Sequence, residues 1–229
     1  MDMYSVKSKS TPQKTVIITI EVLLLILSYW ILFEGGGDVI FEALGIDILN
    51  GNVESRAITF TFSLIVFFRI TFMMFYMLER KIPWEESVSI PMAFSLYYIG
   101  YSLLVYDREV PIDWIDYSAI LLFLIGSGFN TISEVQRHLW KKRPENKGKL
   151  YTIGLFKYSM HINFFGDVLW VSAYAIVTRN YYAIIIPVLL FCLFAFWNIP
   201  TLDKYLAGKY KEQFDDYQKK TRKLIPFIY

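Results

Sequence analysis

The run Thr15-Val-Ile-Ile-Thr-Ile-Glu21-Val-Leu-Leu-Leu-Ile-Leu-Ser-Tyr-Trp-Ile-Leu-Phe33 decides the fold class. A helix needs about 20 mostly apolar residues to cross a bilayer. This run is long enough and carries one charged residue, Glu21. The basic residues Lys7, Lys9 and Lys14 precede it. It is too long for the apolar core of a signal peptide, and it reaches Phe33-Glu34 without a small-residue cleavage site. It therefore reads as a first transmembrane helix.

Five more stretches follow the same rule: Ala57–Leu78, Val88–Tyr106, Tyr117–Trp140, Phe164–Thr178 and Tyr181–Ile199. The fifth span is short and meets the sixth through Arg179-Asn180, as a tight helical hairpin would. The fourth is long, with polar last turns that are expected to project beyond lipid. Composition agrees with this count. The chain is 55% hydrophobic and 18% aromatic, with a mean hydropathy of +0.38. Soluble domains rarely carry so much apolar surface, whereas Trp and Tyr gather at membrane interfaces.

The connections alternate in charge. The N-terminal segment is basic. Glu34, Asp38, Glu42, Asp47 and Glu54 outweigh Arg56 in the next connection, and Arg80 and Lys81 follow in the third. Asp107–Asp116 is acidic. Arg137, Lys141, Lys142, Arg143, Lys147, Lys149 and Lys157 make the next connection strongly basic, and the tail is basic from Lys204 to Lys223. Lysine and arginine stay cytoplasmic because their translocation is disfavoured. Six spans place every basic connection on one side; five or seven break the pattern. The expectation is an all-α, multi-pass integral membrane bundle with both termini cytoplasmic and an amphipathic tail after Pro200. Residues 1–229 form one membrane domain, with a three-span half, 1–116, followed by 117–229.

Several chemistries are disfavoured. A single cysteine, Cys192, permits no intrachain disulfide. His138 and His161 have no metal-ligand spacing, so no metal is expected. Ser159 beside His161 is not a nucleophile elbow. Gly35-Gly36-Gly37 reads as a flexible loop, without the lysine of a phosphate cradle. No nucleic-acid partner is expected.

Ionisable residues at membrane depth are costly and suggest function. Glu21 and Arg69 qualify, although a mutual ion pair, or a snorkelling Arg69, would be structural. In the fourth span Asn130, Glu134, Arg137, His138 and Lys141 recur at steps of three and four and share one face, with Gly126 and Ser127 one turn earlier. That face must line a wet cavity or pack on polar partners, unless the helix end merely emerges into water. A basic, glycine-containing loop, Lys147 to Ser159, then leads to a helix start at which Asn163 reads as the N-cap and Asp167 lies one turn on. Lys141, Lys147 and that helix start suit an anion such as a dinucleotide phosphate; anionic lipid headgroups are the alternative.

The run Gly154-Leu-Phe-Lys-Tyr158-Ser-Met160-His161-Ile162-Asn163-Phe-Phe-Gly166-Asp167 resembles the signature GLW-x-YSRHPNYFGE. Steroid 5-alpha-reductases, sterol reductases and related bacterial membrane proteins (the DUF1295 group) share that signature. Asn130-x-x-x-Glu134 resembles their Asn-x-x-x-Asp element. The ending from Phe214 through Tyr217, Thr221, Arg222 and Pro226 to Tyr229 resembles their tail, F-E-D-Y-P-x-x-R-x-x-L-I-P-F-I-F. The resemblance covers about the last hundred residues. It implies a C-terminal half that opens to the cytoplasm and holds NADPH, lined by Asn130, Glu134, Tyr158, Asn163, Asp167 and Tyr217, with His161 and Arg222 alongside. It also implies a hydrophobic lipid substrate that enters from the membrane. The same superfamily includes isoprenylcysteine carboxyl methyltransferases, which makes S-adenosylmethionine the alternative cofactor. The sequence departs from the signature: Met160 replaces its arginine, Ile162 its proline and Asp167 its glutamate, and Thr221 stands at the tail arginine. Losing the arginine removes a bidentate anion clamp.

The implied reaction is hydride transfer from NADPH to an activated double bond of a steroid-like or isoprenoid lipid. A group must then polarise the acceptor's carbonyl. Tyr98, within the cluster Tyr97, Tyr98 and Tyr101, and Glu86 or Glu21 are the candidates. Interface belting also explains such a cluster. A lipid-binding membrane protein without turnover is a third reading.

Overall fold

The computed structural model describes residues 8–48 and 51–229; Lys7 of the basic N-terminal segment lies outside them. Among the described residues the chain is helical, with no strand; an isolated bridge joins Ser159 and Arg222. Five helices are long and apolar enough to cross a membrane: α1 (Thr11–Phe33), α3 (Val53–Met77), α4 (Glu86–Val105), α5 (Trp114–Lys141) and α7 (Tyr181–Tyr210). Between α1 and α3 lies the short helix α2 (Gly36–Ala43). The expected fifth span is α6 (Ile162–Thr178), 17 residues long. At 1.5 Å per residue it reaches about 25 Å, short of a typical hydrocarbon core of about 30 Å. The tail contains α8 (Glu212–Lys220).

The chain divides into two compact units. Unit 1 holds residues 1–119 and 174–184; unit 2 holds 120–173 and 185–229.

In unit 1, α1 packs against α3 and α4. Ile17, Met74 and Ile82 form a buried apolar cluster near one end of these helices. There, Lys14 donates to the Leu78 carbonyl at 2.7 Å and Ser10 Oγ accepts from Ile82 N. At the opposite end, Asn52 caps α3 by accepting from the backbone of Glu54 (2.7 Å) and Ser55 (3.1 Å), so two of the orphan N–H groups of the first turn are satisfied. Arg56 donates to the Leu32 and Tyr106 carbonyls and stacks 3.8 Å from the Tyr106 ring. The basic and acidic connections of unit 1 thus sort to opposite ends.

Gly35-Gly36-Gly37 is not a loop. Gly35 takes φ 77° just before α2, and Gly36 and Gly37 are its first residues. Both lie buried against Trp30 and Tyr106, where a Cβ would collide. Close packing, rather than flexibility, explains them.

Three spans contain a π-helical turn: Met73–Met77 in α3, Leu96–Gly100 in α4 and Phe194–Asn198 in α7. The last lies just before Pro200, whose missing N–H would otherwise break the ladder. Helix α7 therefore continues to Tyr210, beyond the span end expected at Ile199.

In unit 2, α5 and α6 cross at a pair of glycines. A Cβ on Gly126 would lie 2.6 Å from Trp170 N, and one on Gly166 would lie 2.6 Å from Asn130 N. Small residues let membrane helices approach this closely.

Candidate functional site

Unit 1 buries a polar cluster. Glu21 on α1 and Tyr98 and Tyr101 on α4 are each 0% exposed, and Tyr97 is 7% exposed. These tyrosines do not belt an interface. The π turn Leu96–Gly100 holds Tyr97 and Tyr98, and such turns often mark functional positions. Tyr174 stacks on Tyr101 at 4.9 Å and donates to Ser63 Oγ at 3.1 Å. Glu21 and the Tyr98 hydroxyl face each other within electrostatic range. Yet both Glu21 oxygens and Tyr98 Oη are buried without a hydrogen bond of ordinary geometry. Buried polar groups are nearly always bonded, so this pair is an exception that asks for a ligand. Arg69 lies within electrostatic range of Tyr98 and Tyr174. Glu86 is placed differently: at the start of α4, it forms an ion pair with Arg80 (2.6 Å), both side chains 24% exposed.

A second buried network in unit 1 satisfies Arg108 fully. Arg108 donates to Asp116 Oδ1 (2.7 Å) and Oδ2 (2.8 Å), and to the carbonyls of Val110, Pro111 and Val177. Arg179 pairs with Asp113 and Asp116. The two acids keep the Arg179 guanidinium above its ordinary range despite partial burial.

Unit 2 carries the residues expected to hold a cofactor. Asn130 is buried, and its Nδ2 donates to the Asn163 carbonyl at 3.3 Å. Glu134 pairs with Arg137. His138 is half-buried; Lys141 and Lys147 are exposed. Asn163 is not the N-cap of α6. The His161 carbonyl accepts the first helical bond, from Phe165 N at 3.1 Å, so His161 holds that position. Its ring is buried, bonded through Nε2 to Asp203 at 2.9 Å and stacked on Phe164. Asp167 accepts from Trp170 Nε1 at 2.7 Å. The Tyr217 hydroxyl donates to the Phe156 carbonyl at 2.6 Å, and burial raises its pKa.

The tail is tied to the signature run as a short parallel strand would be. Met160 N donates to the Arg222 carbonyl (2.8 Å) and His161 N to that of Lys223 (2.9 Å). Ser159 Oγ donates to the carbonyls of Lys223 and Leu224. Met160, where the signature has arginine, is 4% exposed and packs with Tyr210, Phe214 and Tyr217. An apolar contact thus stands where the signature has a charged clamp. Asp203 and the Thr131 hydroxyl were not expected at the site, whereas Ser127 lies on the face that the fourth-span stripe marked. Asp203 lies 42 residues from His161, a separation at which no periodicity in the sequence links them.

The family model described as "Protein of unknown function (DUF1295)" matches residues 57–221. The chain belongs to this family. The DUF1295 protein also matches 3-oxo-5-alpha-steroid 4-dehydrogenase 2 of Sus scrofa, at 32% identity over 130 residues (55% of this chain, 49% of the relative). The Homo sapiens protein of the same name matches at 30% over the same shares. A probable O-methyltransferase of Ustilaginoidea virens matches at 32% over 93 residues, 40% of this chain and 33% of the relative. The DUF1295 protein spans about half the length of the steroid dehydrogenases it matches.

The α5 face of unit 2 leaves polar groups that a bound cofactor could use. The hydroxyls of Ser127 and Thr131 flank Asn130 on α5, buried and without a hydrogen-bond partner. Together they offer a sugar or amide group partners that the protein itself leaves unused.

Proposed function

We propose that this DUF1295 protein is an integral membrane reductase that uses NADPH to reduce an activated double bond of a steroid-like or isoprenoid lipid. The observation that carries the reading is the Glu21–Tyr98 pair, fully buried at membrane depth and without a hydrogen bond of ordinary geometry to any other residue. A ketone-bearing lipid reaching this cluster would accept a hydrogen bond from Tyr98 Oη. That bond draws electron density to the carbonyl oxygen and leaves the conjugated β-carbon electron-poor. Glu21 orients the phenol from behind, and the surrounding Tyr97, Tyr101 and Tyr174 keep bulk water away. Asn130, Glu134, Asn163 and Asp167, with Ser127 and Thr131, would hold the cofactor, and the exposed Lys141 and Lys147 would meet its phosphates. When bound, NADPH supplies the hydride. The alternation of basic and acidic connections along the sequence supports both termini being cytoplasmic.

The test is NADPH oxidation by purified protein in detergent across a panel of enone lipids. Turnover should fall about 10²- to 10³-fold in Tyr98→Phe, the usual loss when one donor to a developing oxyanion is removed. Absence of oxidation by the wild type, or a Tyr98→Phe variant of equal rate, rejects the reading. The partial match to an O-methyltransferase supports one rival, S-adenosylmethionine in the same place. Tight binding of that cofactor without NADPH binding would select it.

A further inference from the structure

We infer that the lipid-facing surface of this protein is matched to a bilayer thinner than the typical one, and so to phospholipids with short acyl chains. The observation is the height of its apolar belt. Tyrosine and tryptophan mark the levels at which a span leaves hydrocarbon for headgroups. On α7 the exposed apolar face begins at Tyr181 and Tyr182 and ends at Phe196 and Trp197, with Ile185, Val188 and Leu193 between them. Tyr182 and Trp197 are 74% and 75% exposed. They stand 15 residues apart, which at 1.5 Å per residue is about 23 Å. A typical hydrocarbon core measures about 30 Å.

Two other spans repeat this height. On α1 the exposed apolar face runs from Val16 to Trp30, 14 residues apart, or about 21 Å. On α5 it runs from Tyr117 to Ile132, 15 residues apart, or again about 23 Å. Gln136 follows one turn on, and its Oε1 accepts from Leu155 N at 3.1 Å. Leu139 lies past it, among Arg137, His138 and Lys141. Tilt only lowers these heights, because a tilted helix covers less of the membrane normal. The short helix α6 does not enter the comparison. Each of its residues is buried or half-buried, so its length answers to protein and not to lipid.

A short span ordinarily reaches a thicker bilayer by snorkelling, in which lysine and arginine bury their stems and extend their charges to the headgroups. In unit 1 that route is closed. Lys14 is 4% exposed, and its Nζ donates to the Leu78 carbonyl at 2.7 Å. Arg56 donates to the Leu32 carbonyl at 3.2 Å and to that of Tyr106. Both cations are therefore tied to backbone at opposite ends of α1. Lys14 and Leu32 stand 18 residues apart, about 27 Å along the helix. The hydrocarbon that unit 1 fits lies between about 21 Å, set by the aromatic belt, and about 27 Å, set by the tied charges. A thicker bilayer must thin around the protein, at a cost that grows with each ångström of mismatch. Short acyl chains remove that cost.

The experiment places the full chain in lipid nanodiscs of phosphatidylcholine. The two monounsaturated chains of the lipid lengthen in two-carbon steps from about 14 to about 22 carbons, which thickens the bilayer at constant headgroup. The thermal midpoint should peak at the short end and lie about 5 °C lower by about 18 carbons. A peak at about 18 carbons or longer, or a midpoint that does not change along the series, overturns the inference. A variant then moves the belt. Trp197, Asn198 and Thr201 are exposed on α7, and Trp197→Leu, Asn198→Leu and Thr201→Leu together carry the apolar face one turn further, to Lys204. Its midpoint should peak at longer chains than that of the wild type. A peak that stays in place shows that the α7 girdle does not set the belt and overturns the inference as well. If the triple variant does not fold, the wild-type series carries the test. The readout is stability, so it stands apart from the reductase reading and from any turnover.

Discussion

Two buried polar centres of unit 1 are built in opposite ways. At Arg108 every guanidinium N–H is used, on Asp116 and on the carbonyls of Val110, Pro111 and Val177. At Glu21 and Tyr98 the buried oxygens complete no such bond. Desolvating an ion costs several kcal/mol, which only excellent geometry and full hydrogen bonding repay. Arg108 has both, so its cluster reads as structure, pinning the Asp107–Asp116 connection to the end of α6. Glu21 and Tyr98 have only each other, so the rest of their hydrogen-bonding capacity is open to something that is not protein. The difference teaches that burial of a charged residue is not itself a functional sign; burial without partners is.

The comparison can be broken by mutation. The largest effect is expected for Arg108→Met, which strands Asp116 without its bidentate partner. A loss of about 3–5 kcal/mol, typical of removing one member of a buried pair, should appear as a sharply lowered thermal midpoint in detergent. If Arg108→Met unfolds no more readily than the wild type, the structural reading of that cluster fails. Glu21→Gln should do the reverse, cutting enone reduction by about 10²-fold while leaving the thermal midpoint unchanged or higher. A midpoint that falls with the activity would make Glu21 another Arg108.

Smaller effects sharpen the comparison within unit 2. Gly166→Ala forces a Cβ against Asn130 N and the Gly126 carbonyl, both backbone atoms that cannot swing aside. A cost of about 1–3 kcal/mol is expected for such overpacking, with weaker NADPH binding because Asn130 moves with the helix. Retained stability and retained binding together would show that the helices can part at no cost. Tyr217→Phe removes one hydrogen bond to the Phe156 carbonyl. About 1 kcal/mol should be lost, read as a small drop in thermal midpoint, while the Met160 cluster stays packed.

Much of this was legible in the residues. The apolar runs gave the helices because a span's length and composition are local properties. The signature run and tail pointed to one family, and the fourth-span stripe placed Asn130 and Glu134 on one face because helical period is local too. The glycine triplet misled, since nothing near it in sequence reveals that Trp30 and Tyr106 press on it. Asn163 misled for a related reason: it has the chemistry of a cap, but the helix starts two residues earlier, where the tail carbonyls capture Met160 and His161. Tyr97, Tyr98 and Tyr101 read equally well as an interface belt or a buried cluster until the fold was in hand.

The sequence by itself determined which segments are helices able to enter lipid, because that depends on twenty neighbouring residues and nothing else. Only the tertiary structure decided which polar groups are satisfied. Glu21 and Tyr98 are 77 residues apart, and Ser159 meets Arg222 only because the tail folds back. Whether a buried oxygen has a partner is a property of that folding, not of the oxygen.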